Sequence, residues 1–410
     1  MESYLQEAKN VTSTLATLSG EVKNRVLNKI ADALVANTTL IIEHNKCDMK
    51  EGKQNNLSLA LMDRLYLDES RVKAMAQAVR EIASLKEPVG RVLDGWVTDN
   101  GLRIEKVSIP IGVIGIIYES RPNVTSDAAA LCFKSGNVAI LKGGKEAKES
   151  NEAIAKIIQE TLESEGLPKA LISLLPDSSR EGVAKLIKMD KYVDLIIPRG
   201  GEALIRFVND NATVPVVKHD KGLCHTYIHK DADIEEAIKI AINAKCQRPG
   251  VCNAMETLIV DKDIAKEVLP KLKKAFDANS TKLLGDNETR KIIEVEVATQ
   301  EDYNTEYLAN ILSIKVVKDI KEAIEHIRIF GSGHSEAILT NNHRAAEKFL
   351  NEVDAACVYV NASTRFTDGG VFGFGAEVGI STNKLHARGP MGINDLTTYK
   401  YKIYGEGQIR

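Results

Sequence analysis

No two cysteines in this chain are separated by two residues, which excludes a zinc knuckle and a thioredoxin-type dithiol. The six thiols, Cys47, Cys132, Cys224, Cys246, Cys252 and Cys357, are scattered over 410 residues. With a polar, acidic start at 1–10 that carries no apolar signal core, this usage makes a reduced cytoplasm the expected setting. Charge of one sign is also missing. The 54 basic and 57 acidic side chains leave a net charge of −3, so no broad basic surface for nucleic acid is expected. No apolar run approaches the roughly 20 residues that cross a bilayer, so no membrane segment is expected. No metal is expected either. The usual nucleotide fingerprints fail: Gly331 and Gly333 are followed by Glu336 instead of a third glycine. The phosphate loop fails as well, because Glu146 follows Lys145 and Ala139 stands at the first glycine position. A dinucleotide bound here is held in a nonstandard way.

What is present is a long, ordinary globular composition, 44% hydrophobic and 27% charged, with chain enough for two or three domains. Val22, Val26, Leu27, Ile30, Leu34 and Ile41 recur at helical spacing over 21–45, and a second helical run covers 70–85. The stretch 87–108, with Pro88, Gly90, Gly95 and Gly101, reads as an extended or hairpin excursion. Strands at 112–118, 138–141, 171–175 and 193–197 then alternate with helices. The first of these helices is capped by Asn123 or Thr125 and stops at Gly136. This rhythm predicts an α/β fold, a doubly wound parallel sheet whose strand carboxyl ends bind ligand. Three such ends carry polar residues: 118–123, 142–145 and 198–201. Lys142 and Lys145 suit phosphate oxygens, and Gly200 and Gly201 open a helix whose bare amides suit a phosphate. At any single end, the glycines serve equally as turn residues.

A second α/β region starts near His225 and contains residues 245–256, between a helix predicted at 234–244 and a strand at 257–260. Cys252 lies there on a loop, after Lys245 and Arg248 and the turn pair Pro249–Gly250. Nearby positive charge favours the reactive thiolate. The competing reading is a small buried hydrophobe. A nucleophile in the second region would face a cleft between the two regions. The last 40 residues, glycine-rich and then tyrosine-rich, form a tail that returns to the sheet or reaches a second subunit.

Several long motifs in order then carry a resemblance. The stretches 117–125, 247–257 and 360–400, with 372–379 and 386–391 inside the last, resemble the gamma-glutamyl phosphate reductase family of the aldehyde dehydrogenase superfamily. So does 317–338, which holds His326, Gly331, His334 and Glu336. The similarity covers nearly the whole chain. It implies a cofactor domain at 1–230 with 87–108 as an oligomerisation hairpin, a catalytic cysteine domain at 231–362, and a substrate loop with an oligomerisation tail at 363–410.

The resemblance also implies NADPH-dependent reduction of L-glutamyl 5-phosphate to the semialdehyde through a Cys252 thioester. By the same resemblance Lys142 meets the adenine ribose, Gly200 and Gly201 the pyrophosphate, and Glu306 the nicotinamide ribose. Asn123 is the candidate oxyanion donor. Preference for the phosphorylated cofactor rests on the family and on Lys142 and Lys145. Arg121 and Arg248 are expected near the leaving phosphate, since guanidinium pairs well with its oxygens. Ser363, Thr364 and Asp368 are expected to read the amino acid end. His326 and His334 are read as structural. A homo-oligomer and a supplying glutamate 5-kinase are the expected protein partners. The glutamate that activates water in ordinary aldehyde dehydrogenases corresponds to about His219, between Lys218 and Asp220, so the thioester is expected to survive for reduction. A coenzyme A acylating dehydrogenase, a cysteine hydrolase and a noncatalytic binding protein are the alternatives.

Overall fold

The computed structural model describes residues 1–217 and 221–410. The chain divides into two compact units: Met1–Lys218 with Gly373–Gly379 and Met391–Arg410, and His219–Phe372 with Ile380–Pro390. The strand Cys224–Ile228 pairs within the second unit's sheet between Met255–Asp261 and Ser335–Leu339, so the second unit begins before the boundary at 230 that the resemblance implies.

In the first unit, four parallel strands stand in the order Ile172–Leu174, Val138–Lys142, Val113–Tyr118, Leu195–Arg199. Val113–Tyr118 is apolar and buried at all six positions, as expected of a parallel strand covered on both faces. The strand order reverses between Val113–Tyr118 and Leu195–Arg199, so a switch point opens at their carboxyl ends. The helix Asn123–Lys134 follows the first of these and ends where Gly136 takes φ +80°, a left-handed conformation glycine adopts without strain. Its cap differs from expectation: Pro122 is the N-cap residue and Asn123 is already helical.

The run predicted over 21–45 is two helices, Gly20–Ala36 and Thr38–Gln54, broken at Asn37, whose amide closes the first helix. The excursion is a hairpin, Val92–Val97 with Arg103–Pro110, and the tail strand Thr397–Tyr404 adds to it antiparallel, pairing Tyr399 with Ser108. The tail therefore returns to its own chain.

The second unit holds a seven-stranded sheet in the order Glu296–Val297, Lys282–Gly285, Ile311–Val317, Met255–Asp261, Cys224–Ile228, Ser335–Leu339, Cys357–Val360. All its strand pairs are parallel. Met255–Asp261 is buried throughout, including Glu256 and Asp261, which are satisfied by Lys245 and by the Tyr227 hydroxyl at 2.9 Å. Apolar side chains of the helices Ile234–Cys246 and Lys262–Ala278 cover this strand. Cys252 thus precedes the central strand and sits at the sheet's amino end.

Candidate active site

The loop that carries Cys252 is held by neighbours distant in sequence. The Cys252 carbonyl lies 3.2 Å from the Cys224 thiol, which is in position to donate to it. Gly222 packs against the same peptide so closely that a Cβ there would stand 2.0 Å from the Cys252 carbonyl oxygen. The Ala254 amide donates to the Val251 carbonyl at 3.0 Å, which closes a tight turn around Cys252 and Asn253. The Thr364 hydroxyl donates to the Asn253 carbonyl at 2.8 Å, and the Asn253 side-chain amide donates to the Thr367 carbonyl at 2.8 Å. Arg365 completes the staple, bonding the Asn253 side chain and, through Nε, Gln247 at 2.9 Å. Cys252 itself is half-buried.

The charge around this loop differs from the sequence reading. Lys245 is fully buried and bound to Glu256 at 2.6 Å, so its charge is spent on that carboxylate and not on Cys252. Burial pushes Glu256 up to about 7 against the pull of Lys245. Its second oxygen takes the Leu308 amide at 3.4 Å, so both oxygens are engaged. Arg248, which is exposed, and Arg365 bring positive charge to the loop. Burial holds the Arg365 guanidinium below its usual range, and repulsion from Arg248 adds to this, while Asp368 and Cys252 pull the other way. Arg365 was not among the predicted site residues; nothing local marks it, since its place beside Gln247 and Asn253 comes from a turn over 110 residues away.

Ser363 is buried and caps the short helical turn Thr364–Phe366 through the Arg365 amide. Thr364 is fully buried and its hydroxyl is committed to the Cys252 loop. Asp368 is exposed and accepts the Gly370 and Val371 amides at 2.9 and 3.2 Å. Glu306 lies between Gln300–Tyr303 and Ile311–Val317, near enough for its charge to raise the Glu256 carboxyl. His219, with Lys218 and Asp220, lies outside the described residues.

His326 is buried in an aromatic cluster with Tyr303 and Phe330, and Nδ1 of His334 faces Ser335 at 2.8 Å and Cys224 at 3.6 Å. His225 and His229 stand four apart, a metal spacing on a helix, but on the strand Cys224–Ile228 and just beyond it that spacing spans about 13 Å. Their Nδ1 atoms pair with Glu336 and with Thr340, each at 2.9 Å.

In the first unit the switch point gathers Lys142, Gly200 and Gly201. The Gly201 amide opens the helix Glu202–Asn211 and donates to the Glu119 carboxylate at 2.7 Å, so the amide expected to be bare already holds an anionic oxygen. Gly200 is packed so tightly on Glu119 that a Cβ would lie 2.5 Å from the same oxygen. Lys142 is buried and donates to the Ser178 carbonyl at 2.8 Å. Burial lowers its ammonium, while the carboxylates of Glu146, Asp177 and Glu119 raise it. Lys145 is exposed at the start of the short turn Lys145–Ala147.

Ser120 takes φ +41°, rare for a side-chain-bearing residue, and gives both its amide and its hydroxyl to one Glu146 oxygen at 2.6 and 2.7 Å. Glu119, Ser120 and Glu146 were passed over in the sequence, although the first two lie in one of its recognisable stretches. Asn123 donates a side-chain N–H to Asp127 at 3.0 Å, one turn along its helix, and Arg121 is exposed just before that helix. Among the described residues no three His, Cys, Asp or Glu side chains are grouped to hold a metal, and no helix is long and apolar enough to cross a membrane.

A thiol on a clamped loop beside guanidinium groups, in a chain whose other unit is a doubly wound sheet with an anion-holding switch point, defines a class. The model of the aldehyde dehydrogenase family matches residues 1–291 and 292–401, and the chain belongs to that family of oxidoreductases. Within it, the chain is 72% identical over 410 residues to a gamma-glutamyl phosphate reductase of Sulfurimonas denitrificans, covering all of both chains. It is 51% identical over 411 residues to that of Caldanaerobacter subterraneus, covering 100% of this chain and 99% of the relative. The crystal structure of the gamma-glutamyl phosphate reductase of Thermotoga maritima superposes with a TM-score of 0.98 at 46% identity, covering 100% of this chain and 99% of that one.

Proposed function

We propose that this protein reduces L-glutamyl 5-phosphate to L-glutamate 5-semialdehyde with NADPH and releases phosphate, through a thioester on Cys252, as a step of proline biosynthesis. The observation that carries the reading is the clamped, half-buried Cys252 with Arg248 and Arg365 beside it. Attack by the Cys252 thiolate forms a C–S bond to the acyl carbon and breaks the bond from that carbon to the phosphate oxygen. Phosphate leaves with little acid assistance.

Arg248 and Arg365 suit the departing phosphate oxygens, with Arg121 a further candidate. The Cys252 amide and the second N–H of Asn123 are the candidate oxyanion donors, since only one hydrogen of that side chain is given to Asp127. Both oxygens of Glu256 are engaged, by Lys245 and by the Leu308 amide, which suits it poorly to activate water and favours a thioester that lasts until it is reduced.

A nicotinamide cofactor supplies the hydride for that reduction. The first unit fits such a group: the Gly201 amide donates to a carboxylate oxygen, and Gly200 leaves room for a close approach only without a side chain. A pyrophosphate held there would compete with the Glu119 carboxylate for that amide. Lys142 would hold the adenine ribose, Lys145 would pair with the additional phosphate, and Glu306 would hold the nicotinamide ribose. Asp368 suits the substrate ammonium, with Ser363 beside it; Thr364 serves the Cys252 loop instead. The acyl phosphate is labile, so a glutamate 5-kinase is the natural supplier.

The test supplies glutamate 5-semialdehyde and NADP with phosphate, with coenzyme A or with neither, and follows the reduced cofactor. Formation that depends on phosphate is expected. Formation with coenzyme A alone would indicate an acylating dehydrogenase, and formation with neither would indicate hydrolysis by water; either overturns the proposal.

A further inference from the structure

Cys224 opens the strand Cys224–Ile228 and is fully buried. Its sulfur lies between the Cys252 carbonyl oxygen, at 3.2 Å, and Nδ1 of His334, at 3.6 Å. The same Nδ1 is 2.8 Å from Ser335 Oγ, which is 2.7 Å from Thr367 Oγ1. The Thr367 carbonyl accepts the Asn253 side-chain amide at 2.8 Å. This hydrogen-bonded circuit leaves the nucleophile loop at the Cys252 carbonyl and returns to it one residue later. Cys224, His334, Ser335 and Thr367 are fully buried, and Asn253 nearly so.

A buried cysteine is ordinarily a small hydrophobe. Here Gly222 closes over the Cys252 carbonyl so tightly that the oxygen is shut off on that side, and a carbonyl withdrawn from water needs a donor. We propose that Cys224 is a positioning residue: its thiol donates to the Cys252 carbonyl and fixes the Cys252–Asn253 peptide, so that the Cys252 sulfur is presented in one orientation. Burial, together with the charges of Glu336, Cys252 and Glu256, pushes the Cys224 thiol well above its usual range, which keeps it protonated and a donor. The inference rests on Cys252 being the nucleophile of the proposed reaction.

The experiment compares Cys224→Ala with Cys224→Ser, which delete the same sulfur but differ in the donor. In the phosphate-dependent oxidation of glutamate 5-semialdehyde, kcat is expected to fall about tenfold in Cys224→Ala, with KM for semialdehyde and NADP within about twofold. Cys224→Ser is expected to recover to within about twofold of the unaltered enzyme, at a melting temperature equal to that of Cys224→Ala. Equal kcat in the two variants, or an unchanged kcat in Cys224→Ala, overturns the proposal and leaves Cys224 as packing. Should Cys224→Ala fail to fold, the near-isosteric pair Cys224→Thr and Cys224→Val makes the same comparison. Should the unaltered protein show no phosphate-dependent turnover, the functional reading fails separately. The inference is then read from alkylation of Cys252 by iodoacetamide, slower in the Ala variant and restored in the Ser variant; equal rates overturn it.

Discussion

Gly222 is the residue whose replacement has the most direct consequence for the nucleophile. A methyl group there would fall 2.0 Å from the Cys252 oxygen and 2.5 Å from its carbonyl carbon, and backbone on both sides cannot yield as a flexible side chain does. Gly222→Ala is therefore expected to lower kcat of the semialdehyde oxidation by about a hundredfold, because a displacement of about 1 Å at a reacting group has that weight. Steady-state kinetics beside a melting curve check it, and an activity within threefold of the unaltered protein would contradict the clamp.

Part of the candidate site can be read from local sequence. Cys252 and Arg248 lie on one loop, Lys142 ends a strand, and the two glycines at 200–201 precede a helix, all placements that follow from local pattern. Their partners do not: Cys224 is 28 residues from Cys252, and Thr364 is 111 from Asn253. Parallel crossovers bring such pairs together without any mark in the local pattern. Lys245 was misjudged for the same reason, since Glu256 reaches it only because a buried strand follows the loop.

Among the elements, the helix Ile320–Phe330 carries a titratable group with a defined effect on stability. Burial lowers His326 to about 3, and His225 and Lys315 push it in the same direction. The unfolded chain therefore binds this proton more tightly than the folded one. Stability from His326 is complete above the ordinary value of 6.5 and is lost as pH falls from there towards 3. The loss is up to about 5 kcal/mol. Urea unfolding at pH 7.5 and pH 4.5 is expected to show a smaller difference in His326→Leu than in the unaltered protein; an equal difference in both would contradict a neutral, buried imidazole. Strand and helix rhythm was the most legible feature of the chain, because continuous apolar runs such as Val113–Tyr118 have one simple solution in a doubly wound sheet. The break at Asn37 was not, since the apolar spacing continues through it and only the closing amide marks the end.

For the whole molecule, the three-stranded sheet leaves two edges, Val92–Val97 and Thr397–Tyr404. Val97 is 66% exposed and Ile403 60%, on strands that nothing in the chain covers among the described residues. Uncovered apolar edge strands recruit other chains, and here we propose a second copy of this one. Light scattering is expected to give at least twice the chain mass of 44.9 kDa, and Val97→Lys with Ile403→Lys to bring it down towards that value. A single-chain mass for the unaltered protein would contradict the assignment.

The proposed reaction depends on the sulfur of Cys252. The most direct test is the oxidation of glutamate 5-semialdehyde by NADP in the presence of phosphate, run with the unaltered protein and with Cys252→Ala. Phosphate-dependent formation of NADPH is expected in the first and a loss of at least about ten-thousandfold in the second, whose melting temperature stays unchanged. Turnover by Cys252→Ala at a comparable rate would contradict the thioester route.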